Sequence, residues 1–118
     1  MTIWQGDIYY IDLGEPKGSG PGYEHYVVVV QSNTMNRTRI GTVVACVLTH
    51  NLGRGRIPGN VTLAPGEGNL PQQSVVNISQ VVTVDKDDLG ERVGVLDDER
   101  MREIKRNIRL MLLEGTRP

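Results

Sequence analysis

Glu24 and His25 are the pair in this chain best suited to moving a proton, and they stand at a junction. A glycine-rich loop containing Gly18, Gly20 and Gly22 ends there, and four consecutive valines, Val27–Val30, begin two residues later. Glycine lets backbone approach a ligand closely, and a run of β-branched residues reads as a buried strand. A titratable pair where a mobile loop meets a rigid strand is a common setting for binding and catalysis. A second polar cluster, Thr49-His50-Asn51, follows the apolar run 43–48, much as Gln31-Ser32-Asn33 follows the valines. Arg54 and Arg56, set among glycines, read as an exposed basic loop, and Lys17 and Ser19 lie in the first loop. Gln80 is a candidate for a cross-strand hydrogen bond.

Several chemistries are excluded by spacing. His25 and His50 are isolated, Cys46 has no second cysteine, and no ligand cluster has metal-site spacing, so no metal is expected. The loop GSGPG does not open a helix and no Gly-Lys-Ser/Thr follows it, which removes phosphate-loop and dinucleotide sites. No cofactor is expected. There is also no G-x-S-x-G nucleophile elbow. Cys46, among Val43-Val44-Ala45 and Val47-Leu48, reads as a packing residue.

The elements that must position these groups are mostly strands. Residues 8–11 read as a first strand, 14–22 as a long breaker-rich loop, 26–32 as a second strand and 42–48 as a third. A fourth lies near 61–63. The run 74–84 is long for one strand, and its polar Asn77, Ser79 and Gln80 predict a bend or bulge. From Asp97 the period changes: Met101, Ile104, Ile108 and Met111-Leu112 recur at helical spacing. Asp97 is the expected N-cap, and Gly115 with Pro118 the stop. If the second and third strands pair antiparallel, clusters 31–33 and 49–51 lie at opposite ends of the sheet.

With 118 residues, no Phe and 38 % hydrophobic content, one domain over 1–118 with a Val/Ile/Leu core is expected. The class is mainly β with a C-terminal helix, as a small, strongly bent sheet or open barrel. A net charge of −1 means that any nucleic-acid contact uses a local basic patch. The N-terminus lacks signal-peptide character, and no apolar run approaches the ~20 residues of a membrane span. The expectation is a soluble cytoplasmic protein.

The strings GDIYYIDL (6–13), HYVVVVQSN (25–33), VLTHN (47–51), IPGNV (57–61) and SVVNISQVVTVDK (74–86) resemble, in order and spacing, the MazF/PemK toxin family. The resemblance covers nearly the whole chain. It implies a small SH3-like, CcdB/PemK-like β-barrel and a homodimeric endoribonuclease toxin, restrained by a cognate antitoxin. It also implies metal-independent cleavage of single-stranded RNA, leaving 2′,3′-cyclic phosphate and 5′-hydroxyl ends. Thr49 matches the family's threonine after the third strand. The RNA would follow a groove built from the 14–24 loop, the 50–56 loop and the strand ends, touching Lys17, Ser19, Asn33, Asn51, Arg54, Arg56 and Gln80.

One departure is sharp. The family's arginine, often followed by proline, falls on Glu24-His25-Tyr26, which holds neither. A permanent cation with a donor fork matched to phosphate is therefore missing. Three readings follow: acid–base groups rearranged around His25 with Glu24 orienting it, a divergent member with weak or lost activity, or an engineered inactive form. The same fold also admits a CcdB-like inhibitor of a protein target such as a topoisomerase, or a homologue that only binds antitoxin.

Overall fold

In a computed structural model, which describes residues 2–117, the chain forms one six-stranded sheet with a helix packed against it. The strands are β1 (Asp7–Asp12), β2 (Glu24–Val29), β3 (Thr42–Thr49), β4 (Val61–Thr62), β5 (Val75–Asp85) and β6 (Leu89–Val95), in the order β4-β5-β3-β2-β1-β6. Every pairing is antiparallel. The mainly-β class with a C-terminal helix is as expected, but the sheet does not close into a barrel: β4 and β6 stand at its two edges.

Strand periodicity explains the unbroken valine run. Neighbouring residues on a strand face opposite sides, and both sides of the sheet centre are covered. Ile8, Val28, Cys46 and Leu48 enter one core with Val76, Ile78, Leu96 and the helix residues Met101 and Ile104. Tyr9, Ile11, Val27, Val29, Ala45 and Val47 enter the other, with Ile3, Val84 and Leu89. A strand buried on both faces has no polar position to alternate.

The bulge in the long strand is present. Cys46 pairs with Val81 and Leu48 with Val76, so residues 77–80 are accommodated opposite Val47 alone. Asn60 closes this irregular stretch, donating to Asn77 Oδ1 at 3.0 Å and accepting from the Ile78 amide at 2.9 Å. β6 was not expected. Its sequence LGERVGV carries two glycines and two charges, and it pairs with β1 through register shifts. Its glycines are sterically required: a Cβ on Gly94 would overlap the Gly68 carbonyl oxygen.

A single-turn helix α1 (Asn33–Asn36) interrupts the polar stretch after β2, capped by Ser32. The C-terminal helix α2 (Asp98–Ile108) starts at Asp97, whose carboxylate accepts from the Arg100 amide at 2.8 Å. It buries Met101 and Ile104 and continues as a π-helical turn, Arg109–Leu113, that leaves Leu110–Leu113 exposed. Met111 and Leu112 therefore do not extend the buried stripe. Gly115 has the positive φ (136°) expected of a stop, and Pro118 lies outside the described residues. No helix among the described residues is long and apolar enough to cross a membrane.

Candidate active site

Antiparallel pairing decides which polar groups meet. Tyr26 pairs with Leu48 and Tyr10 with Tyr26, so the start of β2, the end of β3 and the middle of β1 come to one end of the sheet. There a pocket of about 320 Å³ is lined by Tyr10, Glu24, His25, Tyr26, Leu48, Thr49, His50, Pro71, Gln72 and Ser74. Glu24, His25 and Thr49 thus share one space. Gln31 and Asn33 lie at the other end, as the antiparallel arrangement requires.

Each key side chain has a defined partner. His25 Nδ1 lies 3.1 Å from the Leu48 carbonyl oxygen. A carbonyl can only accept, so Nδ1 carries a proton, and Nε2 is the nitrogen left for the pocket. The Glu24 carboxylate accepts from the Tyr10 hydroxyl, and this bond, with burial and the nearby negative charges of Glu24 and Asp12 behind it, pushes the Tyr10 phenol up to about 12. Tyr10 and Tyr26 meet edge to face, with ring centroids 5.9 Å apart. Thr49 Oγ1 accepts from the Asn51 amide at 3.2 Å, which leaves its hydroxyl hydrogen free to donate.

Electrostatically the pocket is unusual for a phosphate site. No lysine or arginine lines it, and Glu24 is its one carboxylate. The expected cations lie on the flanking loops. Arg54 and Arg56 are exposed on a 3₁₀ turn, Leu52–Arg56, whose N-cap is Asn51, accepting from the Gly53 amide at 3.1 Å. Lys17 and Ser19 are exposed on the loop between β1 and β2, which is closed at its base by the Leu13 amide donating to Tyr23 O at 2.8 Å.

Two expected RNA contacts sit elsewhere. Asn33 Oδ1 accepts from the Gln5 amide at 2.7 Å and from Asn36 Nδ2 at 3.0 Å, far along the sheet from the pocket. Gln80 Oε1 accepts from Asn77 Nδ2 at 2.9 Å inside the β5 bulge. Conversely, Tyr10, Tyr26, Gln72 and Ser74 line the pocket without having been singled out. Only the cross-strand register places the tyrosines there, and no spacing rule reveals it. Cys46 is fully buried, and burial pushes its thiol up to about 12, which removes it as a nucleophile. Among the described residues no group of His, Cys, Asp and Glu is arranged to hold a metal.

This open antiparallel sheet with a C-terminal helix is the fold of known MazF structures. A MazF from Deinococcus radiodurans superposes with a TM-score of 0.77 at 18 % identity, over 95 % of this chain and 97 % of that one. An endoribonuclease from a mycobacterial species, solved with its cognate antitoxin, gives a TM-score of 0.73 at 25 % identity over 98 % of both chains. In sequence, the chain is 42 % identical over 112 residues to the endoribonuclease MazF2 of Mycobacterium bovis, covering 95 % of this chain and 98 % of the relative. Residues 4–112 match the family of PemK-like, MazF-like toxins of type II toxin–antitoxin systems, and the chain belongs to that family.

Proposed function

We propose that the protein is an endoribonuclease toxin that cuts single-stranded RNA at this pocket, without a metal. The observation that carries the reading is the convergence of Glu24, His25 and Thr49 on one pocket at the sheet end, in a chain of this family. The ribose 2′-oxygen attacks the adjacent phosphorus, the bond to the 5′-oxygen breaks, and 2′,3′-cyclic phosphate and 5′-hydroxyl ends result. His25, with Nδ1 tied to Leu48, offers its Nε2 lone pair to the 2′-proton. Thr49 donates its free hydroxyl hydrogen to a phosphoryl oxygen as charge builds there. Glu24 does not orient His25, because the Leu48 carbonyl does that. Its carboxylate, held by Tyr10, is an acceptor for a substrate hydroxyl or base amino group.

Lys17, Arg54, Arg56, Asn51 and Ser19 take the flanking phosphates, while Asn33 and Gln80 act as structural amides in local hydrogen bonds. A cognate antitoxin and a second copy of the chain are the protein partners, consistent with the exposed apolar run Leu110–Leu113. An enzyme acting on messenger RNA works in the cytoplasm. With no guanidinium in the pocket, cleavage is ~10²–10³ slower than with an additional oriented phosphate donor.

Incubation of the purified protein with long single-stranded RNA in a chelator tests the reading. New 5′-hydroxyl ends are expected, and Glu24→Arg, which adds the missing cation, should accelerate their appearance. If neither protein cuts, the nuclease reading falls and a purely protein-binding role replaces it.

A further inference from the structure

The nuclease reading leaves the pocket short of one component. Transesterification needs a base for the 2′-hydroxyl and a proton for the leaving 5′-oxygen. His25 can fill the first role in its neutral form, and the second needs a group that is protonated at the same moment. Glu24 is a carboxylate that already accepts from Tyr10. The Tyr10 phenol donates to Glu24 and holds its proton tightly. Thr49 is a poor acid, and Tyr26 faces the Tyr10 ring. The titratable groups around the pocket are Tyr10 on β1, Glu24, His25 and Tyr26 on β2, and His50 just after β3; the 71–74 segment contributes none. His50 is solvent-exposed and lines the pocket.

We propose that His50 is a second catalytic residue, the general acid that protonates the leaving 5′-oxygen while His25 takes the 2′-proton. The role rests on the nuclease reading above. As O2′ bonds to phosphorus, its proton passes to His25 Nε2. As the bond from phosphorus to O5′ breaks, the His50 imidazolium gives its proton to O5′. The enzyme ends with one proton moved from His50 to His25, and solvent resets both rings. Before the step, the imidazolium is also the one positive side chain at the pocket itself, and it attracts the phosphate that Glu24 repels. The two imidazoles thereby do the work of proton transfer and charge neutralisation in a site without arginine.

The test is a set of single-turnover pH–rate profiles on a single-stranded oligoribonucleotide spanning a cleavage site mapped on long RNA. Wild type should give a bell, because the imidazoles act in opposite protonation states. His50→Gln, an exposed substitution whose unfolding midpoint should match wild type, should lose ~10²–10⁴ in rate and lose the alkaline limb of the bell. The same oligonucleotide with sulfur in place of the bridging 5′-oxygen needs no general acid, since a thiolate leaves unprotonated. On it, His50→Gln should approach the wild-type rate while His25→Gln stays slow. A His50→Gln rate within threefold of wild type on the all-oxygen RNA overturns the proposal, and so does a defect that persists on the sulfur substrate. Both leave the nuclease reading standing. Wild-type protein that cuts neither substrate sinks the nuclease reading itself, and this role with it.

Discussion

The ion pair between α2 and the segment ahead of the pocket should carry a pH-dependent share of the stability. Arg100 Nε and Nη2 donate to Glu67 Oε2 and Oε1, each at 2.7 Å, and Nη1 donates to Glu103 at 2.8 Å. Glu67 Oε1 also accepts from the Ala64 amide at 2.8 Å. The two side chains are only 25 % and 20 % exposed. Such a two-pronged, partly covered pair exceeds the ~0–1 kcal/mol of an open surface pair. It falls short of the ~3–5 kcal/mol lost when a fully buried pair is broken. Glu67→Gln keeps the shape and one acceptor but removes the charge, and about 2 kcal/mol is the intermediate expectation. For a domain of this size that is a fall of about 8 °C in Tm.

The direction with pH follows from Glu67 itself. The Arg100 hydrogen bonds hold its carboxyl below the ordinary value of 4.5, against the opposing effect of burial. A folded-state value below the unfolded one means the contribution is complete above the unfolded pKa and is lost as pH falls through the folded one. Urea unfolding of wild type and Glu67→Gln from pH 7 down to pH 3 should show a gap that is constant near neutrality and closes on the acid side. A gap that is absent at pH 7, or unchanged down to pH 3, would refute the assignment. The consequence reaches the site, because residues 64–70 lead directly into Pro71 and Gln72 of the pocket wall.

Glu24→Gln should bring the Tyr10 phenol down from about 12 towards its ordinary 10.0, read from the ring resonances in an alkaline NMR titration, and an unmoved midpoint would show that Glu24 is not its partner. Cys46 should resist an aromatic disulfide reagent at pH 8 in the native protein and react fully in urea, since the thiol is buried and held protonated. Gly94→Ala should cost about 3 kcal/mol, seen as a lower unfolding midpoint, because the added methyl overlaps the Gly68 carbonyl and crowds Asn69. Replacing Arg54 and Arg56 together by Ala should lower the slope of log K against log salt for single-stranded RNA by ~1.4, as expected for two lost phosphate contacts.

The hydrophobic pattern carried most of this fold. Val27–Val30 and Val43–Leu48 are apolar on both faces because both faces are covered, and Asn77, Ser79 and Gln80 marked the bulge through their polarity. β6 escaped because an edge strand needs neither alternation nor β-branching where one side is solvent. Its glycines, which look like loop residues, are there for close approach to Tyr10 and Gly68. Whether the sheet closes was equally beyond the pattern, since closure depends on twist accumulated across strands and not on any single one.

That Glu24, His25 and Thr49 lie at strand ends was legible in the sequence, but their pairings were not. Glu24 and His25 are neighbours in sequence, which invites a carboxylate–imidazole pair. On a strand, however, successive side chains diverge, and partners come from across the ladder. Asp12 sits opposite Glu24 and Tyr10 opposite Tyr26, so Tyr10 is diagonal to Glu24 and its hydroxyl takes the carboxylate. Leu48 sits opposite Tyr26, one step from His25, and its carbonyl takes the ring nitrogen. The carboxylate and the imidazole are thereby uncoupled, each set by a different neighbouring strand. An imidazole freed from its sequence neighbour and tied through Nδ1 to a neutral carbonyl keeps Nε2 out of that bond. At the same strand ends His50 places a second imidazole on the pocket lining.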